Sequence, residues 1–367
     1  MSDGARPDVV VLGAGVVGLS AARELSARGA AVTVLDPDPA GGRASRAAAG
    51  VVMPSVRLAG DPELRAFGEE GFAWLQRDEL WAEPGLWRPV DVVRVASTDR
   101  ARQELEAAAR AEPGRLGRWL TPGELADLEP ALARAPLRGG YLGGRGAVVD
   151  AGAYVDALRR VAVAAGAEIR LGTGARGIEE SASAVTVTTT DGSGSLTCDR
   201  LVVAAGAWCP TIGGLESVPV RPLRGQLATF AHPDLRLDHL VSGDGYLAPL
   251  PGGRILAGAT EEEAGFADHV TAGGLLYLSA VVARTAPALR EAALVRTWAG
   301  LRPASATGRP LVGRLPGSRR VLLATGHGGQ GLLTAGLSAR VLADVMASRP
   351  SDHAALLDPG APAPRSR

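Results

Sequence analysis

Three glycines near the start of the chain, Gly13, Gly15 and Gly18, have the spacing G-x-G-x-x-G and could hold a phosphate group. The run DVVVL at 8–12 predicts a buried parallel strand before them, and 19–29 predicts a helix after them. Gly13 allows a tight turn, Gly15 lets the backbone approach a pyrophosphate, and Gly18 lets helix and strand pack closely. The helix N-terminus would face the negative charge. We therefore predict a dinucleotide site; the alternative is a βαβ unit whose glycines serve packing alone.

An acidic residue ends the second predicted strand. Asp36 closes the apolar run at 30–36 and lies twenty-one residues after Gly15. A carboxylate at this position can accept hydrogen bonds from a ribose diol, and its charge would repel a 2′-phosphate, so NADP is disfavoured. The fingerprint by itself leaves NAD and FAD open.

Two further segments are rich in small residues. GGRASRAAAG at 41–50 follows the second strand, and LVVAAG at 201–206 is an apolar run that ends in a glycine. A simple NAD domain does not need the first segment, whereas a flavin lying deeper in the protein would use its close backbone approach. The alternatives are a compact surface turn for the first segment and an ordinary core strand for the second.

These segments, together with GLRP at 300–303 and TGHGGQGLLTAG at 325–336, resemble the FAD-dependent D-amino acid oxidase and glycine oxidase family over nearly the whole chain. The resemblance implies an α/β fold: a two-dinucleotide-binding-type FAD domain, with a βαβ unit and a parallel sheet, plus a mixed-sheet substrate domain. It also implies non-covalent FAD. The sarcosine oxidase branch attaches FAD through a cysteine in the C-terminal half, whereas the last cysteine here is Cys209.

The resemblance assigns FAD contacts to the fingerprint, to 41–50, to the end of 201–206 and to the C-terminal glycine loop, whose following helix would stabilise negative charge on the reduced flavin ring. The cofactor residues implied in this way are Gly13, Gly15, Val16, Val17, Gly18, Asp36, Pro37, Arg43, Ala44, Ser45, Ala48, Ala49, Gly50, Ala205, Gly206, Arg302, Gly326, His327, Gly328, Gly329, Gln330 and Gly331.

The resemblance also implies three substrate contacts. Arg302, in GLRP, would bind the substrate carboxylate through its guanidinium fork, and the Tyr246 hydroxyl would assist it. A backbone carbonyl near Gly329 would receive the substrate amine. The alternatives are a structural salt bridge for Arg302 and a core position for Tyr246. RGQ at 224–226 is interpreted as structural or flavin-adjacent.

The implied function is oxidative deamination of glycine or a small D-amino acid, with hydride transfer to flavin N5, to the imine and 2-oxo acid, ammonia and hydrogen peroxide. One alternative is an FAD-dependent amine or amino acid dehydrogenase, or a biosynthetic tailoring oxidase for a larger amine. An NAD-dependent enzyme or a non-catalytic nucleotide-binding protein is less favoured. Glycine oxidases commonly carry an arginine between the loop histidine and the next glycine, which GHGGQG lacks, so the substrate side chain is left open.

Composition excludes other classes. The 367 residues have zero formal net charge, which gives no electrostatic reason to expect a nucleic acid or an anionic membrane as partner. The two cysteines, Cys198 and Cys209, have no metal or redox spacing, and no metal site is predicted. No signal peptide or membrane span is predicted. We expect a cytoplasmic enzyme whose partners are a small amine substrate and molecular oxygen; a homo-oligomer is left open.

The predicted domains are discontinuous. Residues 1–60, 138–220 and 296–348 are assigned to the FAD-binding domain, 61–137 and 221–295 to the substrate-binding domain, and 349–367 to a flexible tail. Within these segments, 61–137 is expected to be helical. We expect a helix capped by Asp150, and a β-meander after 177 with a turn at 191–195.

Overall fold

The computed structural model describes residues 7–54 and 60–361. The α-helices of the described residues are α1 (Val16–Ala27), α2 (Arg43–Arg46), α3 (Pro62–Leu75), α4 (Asp99–Ala111), α5 (Pro122–Leu128), α6 (Ala151–Ala164), α7 (Ala272–Thr285), α8 (Gly331–Met346) and α9 (Ala354–Leu357). The strands are β1 (Val9–Leu12), β2 (Val32–Asp36), β3 (Val51–Val52), β4 (Trp87–Ala96), β5 (Arg118–Leu120), β6 (Gly139–Val149), β7 (Glu168–Leu171), β8 (Ala175–Glu180), β9 (Val185–Thr189), β10 (Ser195–Cys198), β11 (Arg200–Val203), β12 (Val220–Ala231), β13 (Leu240–Ser242), β14 (Tyr246–Pro249), β15 (Arg254–Gly258), β16 (Ala293–Ser305), β17 (Leu311–Arg314) and β18 (Val321–Thr325).

A six-stranded sheet has the order β17-β18-β11-β1-β2-β7, and every pair in it is parallel except β17 with β18. All four residues of β1 are buried, as the continuous apolar run predicts for a strand covered on both faces. Helix α1 packs between α6 and α8 over this sheet. The predicted βαβ unit and parallel sheet are therefore confirmed.

A second, larger sheet has the order β16-β12-β15-β14-β13-β4-β6-β3, and β5 pairs with β6. It mixes antiparallel pairs with the parallel pair of β13 and β4. Strands β8, β9 and β10 form a small antiparallel sheet, with the predicted turn between β9 and β10. The two main layers agree with the predicted fold class of a parallel-sheet α/β unit joined to a mixed sheet.

The larger sheet is strongly curved. The indole Nε1 of Trp298, on edge strand β16, donates to the carbonyl of Ala47 at 3.0 Å. Four residues later Val51 begins β3, the edge strand at the opposite end of the sheet. A segment this short reaches both edges only if the sheet bends towards itself. An apolar cluster that includes Val92, Leu227 and Trp298 forms the floor of the resulting concave face.

One local prediction is confirmed by the structure and another is wrong. The Asp150 carboxylate accepts the Ala153 N–H at 2.9 Å and caps α6, as predicted. The expectation that 61–137 is helical is wrong for the ten residues of β4 and the three residues of β5. In β4, residues 89–92 alternate between exposed and buried and residues 92–96 are all buried, a pattern that fits a strand.

The C-terminal segment is more ordered than expected. Residues 354–357 form α9, and Leu357 is buried against the core of the six-stranded sheet. The predicted tail is therefore wrong for this part, because an apolar side chain anchors it; 362–367 lie outside the described residues. The domain boundaries stay a prediction, and β6, whose residues we assigned to the FAD-binding domain, pairs within the larger sheet.

Candidate active site

A cavity of about 970 Å³ lies between the carboxyl end of the six-stranded sheet and the concave face of the larger sheet. This volume is at the upper end of the range of about 300–1,000 Å³ for ligand sites, which suits a dinucleotide-sized cofactor together with a small substrate. Its walls come from the ends of β1, β2 and β11, from α2, from the strands of the larger sheet and from the loop before α8.

The glycine fingerprint forms one wall. Gly13 has φ +108°, and a Cβ there would lie 2.5 Å from the carbonyl oxygen of Ala204 on the neighbouring chain segment. A Cβ on Gly18 would overlap the carbonyl oxygen of Gly13. Ser45 Oγ accepts the first helical N–H, that of Val16, at 3.0 Å. Val16 and Val17, in the first turn of α1, line the cavity, so the N-terminus of this helix lies where a pyrophosphate site requires it.

Asp36 is buried and binds backbone amides. One carboxylate oxygen accepts the N–H of Ala14 at 2.7 Å, and the other accepts the N–H of Asp38 at 2.9 Å. The carboxylate therefore holds the glycine turn against the end of β2 while it lines the cavity. Its contact with a ribose diol stays a prediction.

The predicted segment 41–50 lies beside this turn. Gly42 is left-handed with φ +74° and starts the short helix α2. The Arg43 guanidinium stacks over the indole of Trp208 at 5.6 Å, and Trp208 in turn contacts Phe266. Trp208 also lines the cavity and was not predicted. The signal was available, since Trp208 follows the small-residue run at 201–206 by two residues.

The C-terminal loop forms the opposite wall, followed by α8. Gln330 is the N-cap residue of α8, and its side chain makes no capping hydrogen bond. The first turn of α8 therefore faces the cavity with free N–H groups. His327 is buried, and its Nε2 lies 3.0 Å from Ser338 Oγ. Burial lowers the pKa of His327 to about 4, and its Nδ1 has no partner among the described residues. The imidazole is therefore neutral at pH 7.

Arg302 projects from β16 into the cavity. Its Nη1 donates to the carbonyl of Thr260 at 3.0 Å, and it makes no ion pair among the described residues. The guanidinium lies against the α-carbon of Gly225, where a Cβ would come within 2.5 Å of Cζ. The structural salt bridge that was the alternative interpretation is thus not formed within the described part of the chain. The N–H groups on the free side of the guanidinium can donate hydrogen bonds to an anion bound in the cavity.

Tyr246 lines the same cavity as Arg302, from strand β14. It pairs with Gly258 of β15, and its phenol covers the Gly258 α-carbon, where only hydrogen leaves room for the ring. Gly329, in the loop before α8, approaches the aliphatic part of Arg302: a Cβ at Gly329 would lie 3.8 Å from Arg302 Cδ. The three predicted substrate residues therefore line the same cavity.

Most predicted cofactor residues line this cavity. Gly18 and Gly326 do not, because both are packing positions: Gly18 faces Gly13, and a Cβ on Gly326 would lie 3.0 Å from Ser305 Cβ. The remaining twenty of the twenty-two cofactor residues form its walls. Arg94, on β4, also lines the cavity. It was not predicted, because 61–137 was expected to be helical and β4 was therefore not recognised.

Neither cysteine reaches the cavity. Cys198 and Cys209 are buried and form no disulfide within the described residues, and burial raises the pKa of Cys209 to about 11. An unreactive, enclosed thiol fits non-covalent retention of the cofactor. Among residues 7–54 and 60–361 no group of histidines, cysteines and carboxylates is arranged to hold a metal ion. Within the same ranges no helix is long and apolar enough to cross a membrane.

The glycine turn at the edge of the parallel sheet and the helix N-termini fit a dinucleotide cofactor, and Arg302 fits an anionic substrate in the same cavity. Residues 8–345 match the family model described as FAD dependent oxidoreductase, DAO, and the chain belongs to this family. The chain is therefore an FAD-dependent oxidoreductase, and several of the proteins it resembles are glycine oxidases.

Individual relatives cover almost the whole chain. It is 32% identical to the glycine oxidase of Pseudomonas aeruginosa over 98% of this chain and 99% of the relative. The crystal structure of glycine oxidase from Geobacillus kaustophilus superposes with a TM-score of 0.88 at 27% identity and covers 99% of both chains. The crystal structure of iminodiacetate oxidase from Chelativorans sp. BNC1 superposes with a TM-score of 0.81 at 30% identity, over 94% of this chain and 96% of that one.

Proposed function

We propose that the protein oxidises the carbon–nitrogen bond of glycine or a small D-amino acid to the imine. Water hydrolyses the imine to the 2-oxo acid and ammonia, and molecular oxygen is reduced to hydrogen peroxide. The observation that carries this proposal is the guanidinium of Arg302, which forms no ion pair among the described residues and lies in the cavity that Tyr246 and Gly329 also line. The glycine oxidases among its relatives support the same substrate class.

Arg302 orients the substrate. Two charge-assisted hydrogen bonds from its fork set both the position and the plane of a carboxylate, whereas a single bond would leave the substrate free to rotate. The bond from Arg302 Nη1 to the Thr260 carbonyl holds the fork in place before substrate arrives. FAD, when bound, supplies the hydride acceptor. The side chains of this site then serve to position the α-carbon and to exclude wrong orientations.

The substrate amine needs an acceptor, and the loop before α8 offers backbone carbonyls. Gly329 lies next to Arg302 and has no side chain between its backbone and the cavity. The neutral imidazole of His327 bonds to Ser338 and is enclosed, so it supports the loop rather than exchanging a proton with the substrate. The site thus contains no obligatory general base, which fits oxidation of an amine bound in its neutral form.

The test is anaerobic flavin bleaching combined with peroxide release. Purified holoprotein is mixed with glycine, sarcosine and a panel of D- and L-amino acids, and the flavin absorbance is followed without oxygen. We expect bleaching by glycine or a small D-amino acid, and stoichiometric hydrogen peroxide once air is admitted. A protein that is colourless, or that no member of the panel reduces, would refute the proposal.

The same experiment separates an oxidase from the dehydrogenase alternative. Fast anaerobic bleaching followed by slow reoxidation in air, with little peroxide, would identify a dehydrogenase that passes electrons to another acceptor. Bleaching only by amines larger than these amino acids would identify a tailoring enzyme.

A further inference from the structure

We propose that the substrate carries a second carboxylate and that Arg94 binds it, so the preferred substrates are acidic amino acids or amines with two carboxylates. This inference rests on the proposed function, because it adds an anion site to the cavity in which Arg302 holds the first carboxylate.

Arg94 is a buried cation without an anion. Only 8% of the residue is exposed, and it forms no ion pair among the described residues. Nη1 donates to the carbonyl of Gly143 at 2.7 Å, whereas Nε has no hydrogen-bond partner in the described part of the chain. Burial, together with the nearby charge of Arg115, lowers the pKa of Arg94 to about 10. A buried guanidinium with an unmet donor is unfavourable unless an anion meets it.

The α-carbon of Arg94 lies on the face of the larger sheet that also carries Tyr246, and its guanidinium lies beside Gly143 and Gly144 of β6. Arg94 pairs with Ser242 on β13, and Ser242 pairs with Tyr246 on β14. Paired residues of neighbouring strands lie on the same face, so Arg94 and Tyr246 share the concave face. Two strand spacings place their α-carbons about 10 Å apart. Both residues line the same cavity.

The cavity that both arginines line is only partly apolar, since Met53 and Leu227 line it together with Ser242, Tyr246 and Glu261. Val92, Leu227 and Trp298 belong to one apolar cluster at the floor of the concave face. A substrate with a single carboxylate, bound by Arg302, would need no second cation on the other side of this floor. Arg94 lies at the β4 side of this floor, and Arg302 lies at the β16 side. A ligand with an anion at each end and a short hydrocarbon segment between them matches this distribution.

Glu261 lines the cavity next to Thr260, on the Arg302 side, and two acidic side chains that line it elsewhere have partners of their own. Glu104 accepts a hydrogen bond from Arg100 Nε at 2.8 Å, and Asp244 accepts one from Ser97 at 3.1 Å. Both are exposed residues at the edge of the cavity. Neither of these two carboxylates forms an ion pair with Arg94, so its guanidinium is available to a ligand. The planar fork of a guanidinium favours a carboxylate.

The test compares ligand pairs that differ by one charge at constant length. Holoenzyme is titrated with succinate, glutarate and adipate and with the monoamide of each, and binding is followed by the change in the flavin absorption spectrum. For at least one chain length we expect the diacid to bind about 10- to 100-fold more tightly than its monoamide. Arg94→Gln should reduce this ratio to about one, and Arg94→Lys should restore part of it.

Arg115→Gln is the matched control. Arg115 contributes a positive charge close to Arg94, but it is paired with Glu69 and Glu112 and does not line the cavity. The diacid preference should persist in this variant. Equal affinity for diacid and monoamide at every length in the unmutated protein would overturn the proposal without any variant having to fold. Loss of FAD from Arg94→Gln would also overturn it, because Arg94 would then serve the cofactor.

Failure of the Arg94 proposal and failure of the proposed function give different results. Monocarboxylates such as acetate and butyrate probe the Arg302 site alone, so binding of these ligands without a diacid preference would remove Arg94 and leave the proposed function standing. If diacids bind more tightly than their monoamides but no amine reduces the flavin, the Arg94 site stands and the proposed function is refuted.

Discussion

The guanidinium of Arg302 lies directly against the α-carbon of Gly225, across the pair of strands β16 and β12. A side chain at Gly225 would come within 2.5 Å of Arg302 Cζ. The glycine of the RGQ motif therefore makes room for the residue that we propose as the carboxylate anchor.

Gly225→Ala should displace Arg302 and weaken substrate binding. The added methyl group occupies the position of the guanidinium, so the fork must leave its bond with the Thr260 carbonyl. We expect KM for the amino acid to rise at least about tenfold, with a stability loss of about 1–3 kcal/mol. Steady-state kinetics and the flavin spectrum measure the two effects. Gly273→Ala is the control, since a Cβ there meets nothing within 4 Å; an unchanged KM in Gly225→Ala would contradict the geometry.

Arg302→Ala should abolish productive substrate binding while FAD is retained. The variant removes about two charge-assisted hydrogen bonds, and we expect kcat/KM to fall by about 100-fold or more. Arg302→Lys should remain poor, because a point charge cannot replace a planar fork. The measurement is anaerobic reduction of the flavin over a range of substrate concentrations. Unchanged kinetics in either variant would exclude Arg302 from the site.

Gly18→Ala should prevent FAD binding. A Cβ at this position would overlap the carbonyl oxygen of Gly13, so the fingerprint turn and α1 could not keep their present approach. We expect the purified variant to be nearly colourless, with flavin content measured after denaturation. Gly123→Ala is the control, because the nearest atom to its Cβ is 4.0 Å away. Full FAD occupancy in Gly18→Ala would show that the turn does not hold the cofactor.

His327 should make the free energy of unfolding fall as the pH decreases below neutrality. Burial lowers the pKa of this imidazole from 6.5 to about 4, so between these values the unfolded chain binds a proton that the folded protein does not. The sign follows from proton linkage: stability is complete above pH 6.5 and decreases towards pH 4, by at most about 3 kcal/mol.

Urea unfolding of the wild type and of His327→Gln at pH 7 and pH 5, at one FAD concentration, measures this term. The wild type should lose more stability between the two pH values than His327→Gln does. His269→Gln, at an exposed histidine, should behave as the wild type does. An equal loss in the wild type and in His327→Gln would show that His327 is not the responsible group.

Local spacing was sufficient to predict much of this protein. The G-x-G-x-x-G turn, the acid that ends β2, the cap at Asp150 and the glycine loop before α8 all follow from contacts within short segments. Backbone conformation and hydrogen bonding over a few residues decide such features. The sequence also indicated FAD and the residues around it through its resemblance to a family.

Tertiary structure decided the rest. No spacing shows that Gly225 faces Arg302, because the two residues are brought together by the pairing of β12 and β16. Nor could the sequence show that Arg94 reaches the cavity of Tyr246 and Arg302. That arrangement depends on the curvature of the larger sheet, which turns separate strands towards one enclosed face. The sequence thus determined which residues could do the chemistry, and long-range strand pairing determined which of them share the cavity.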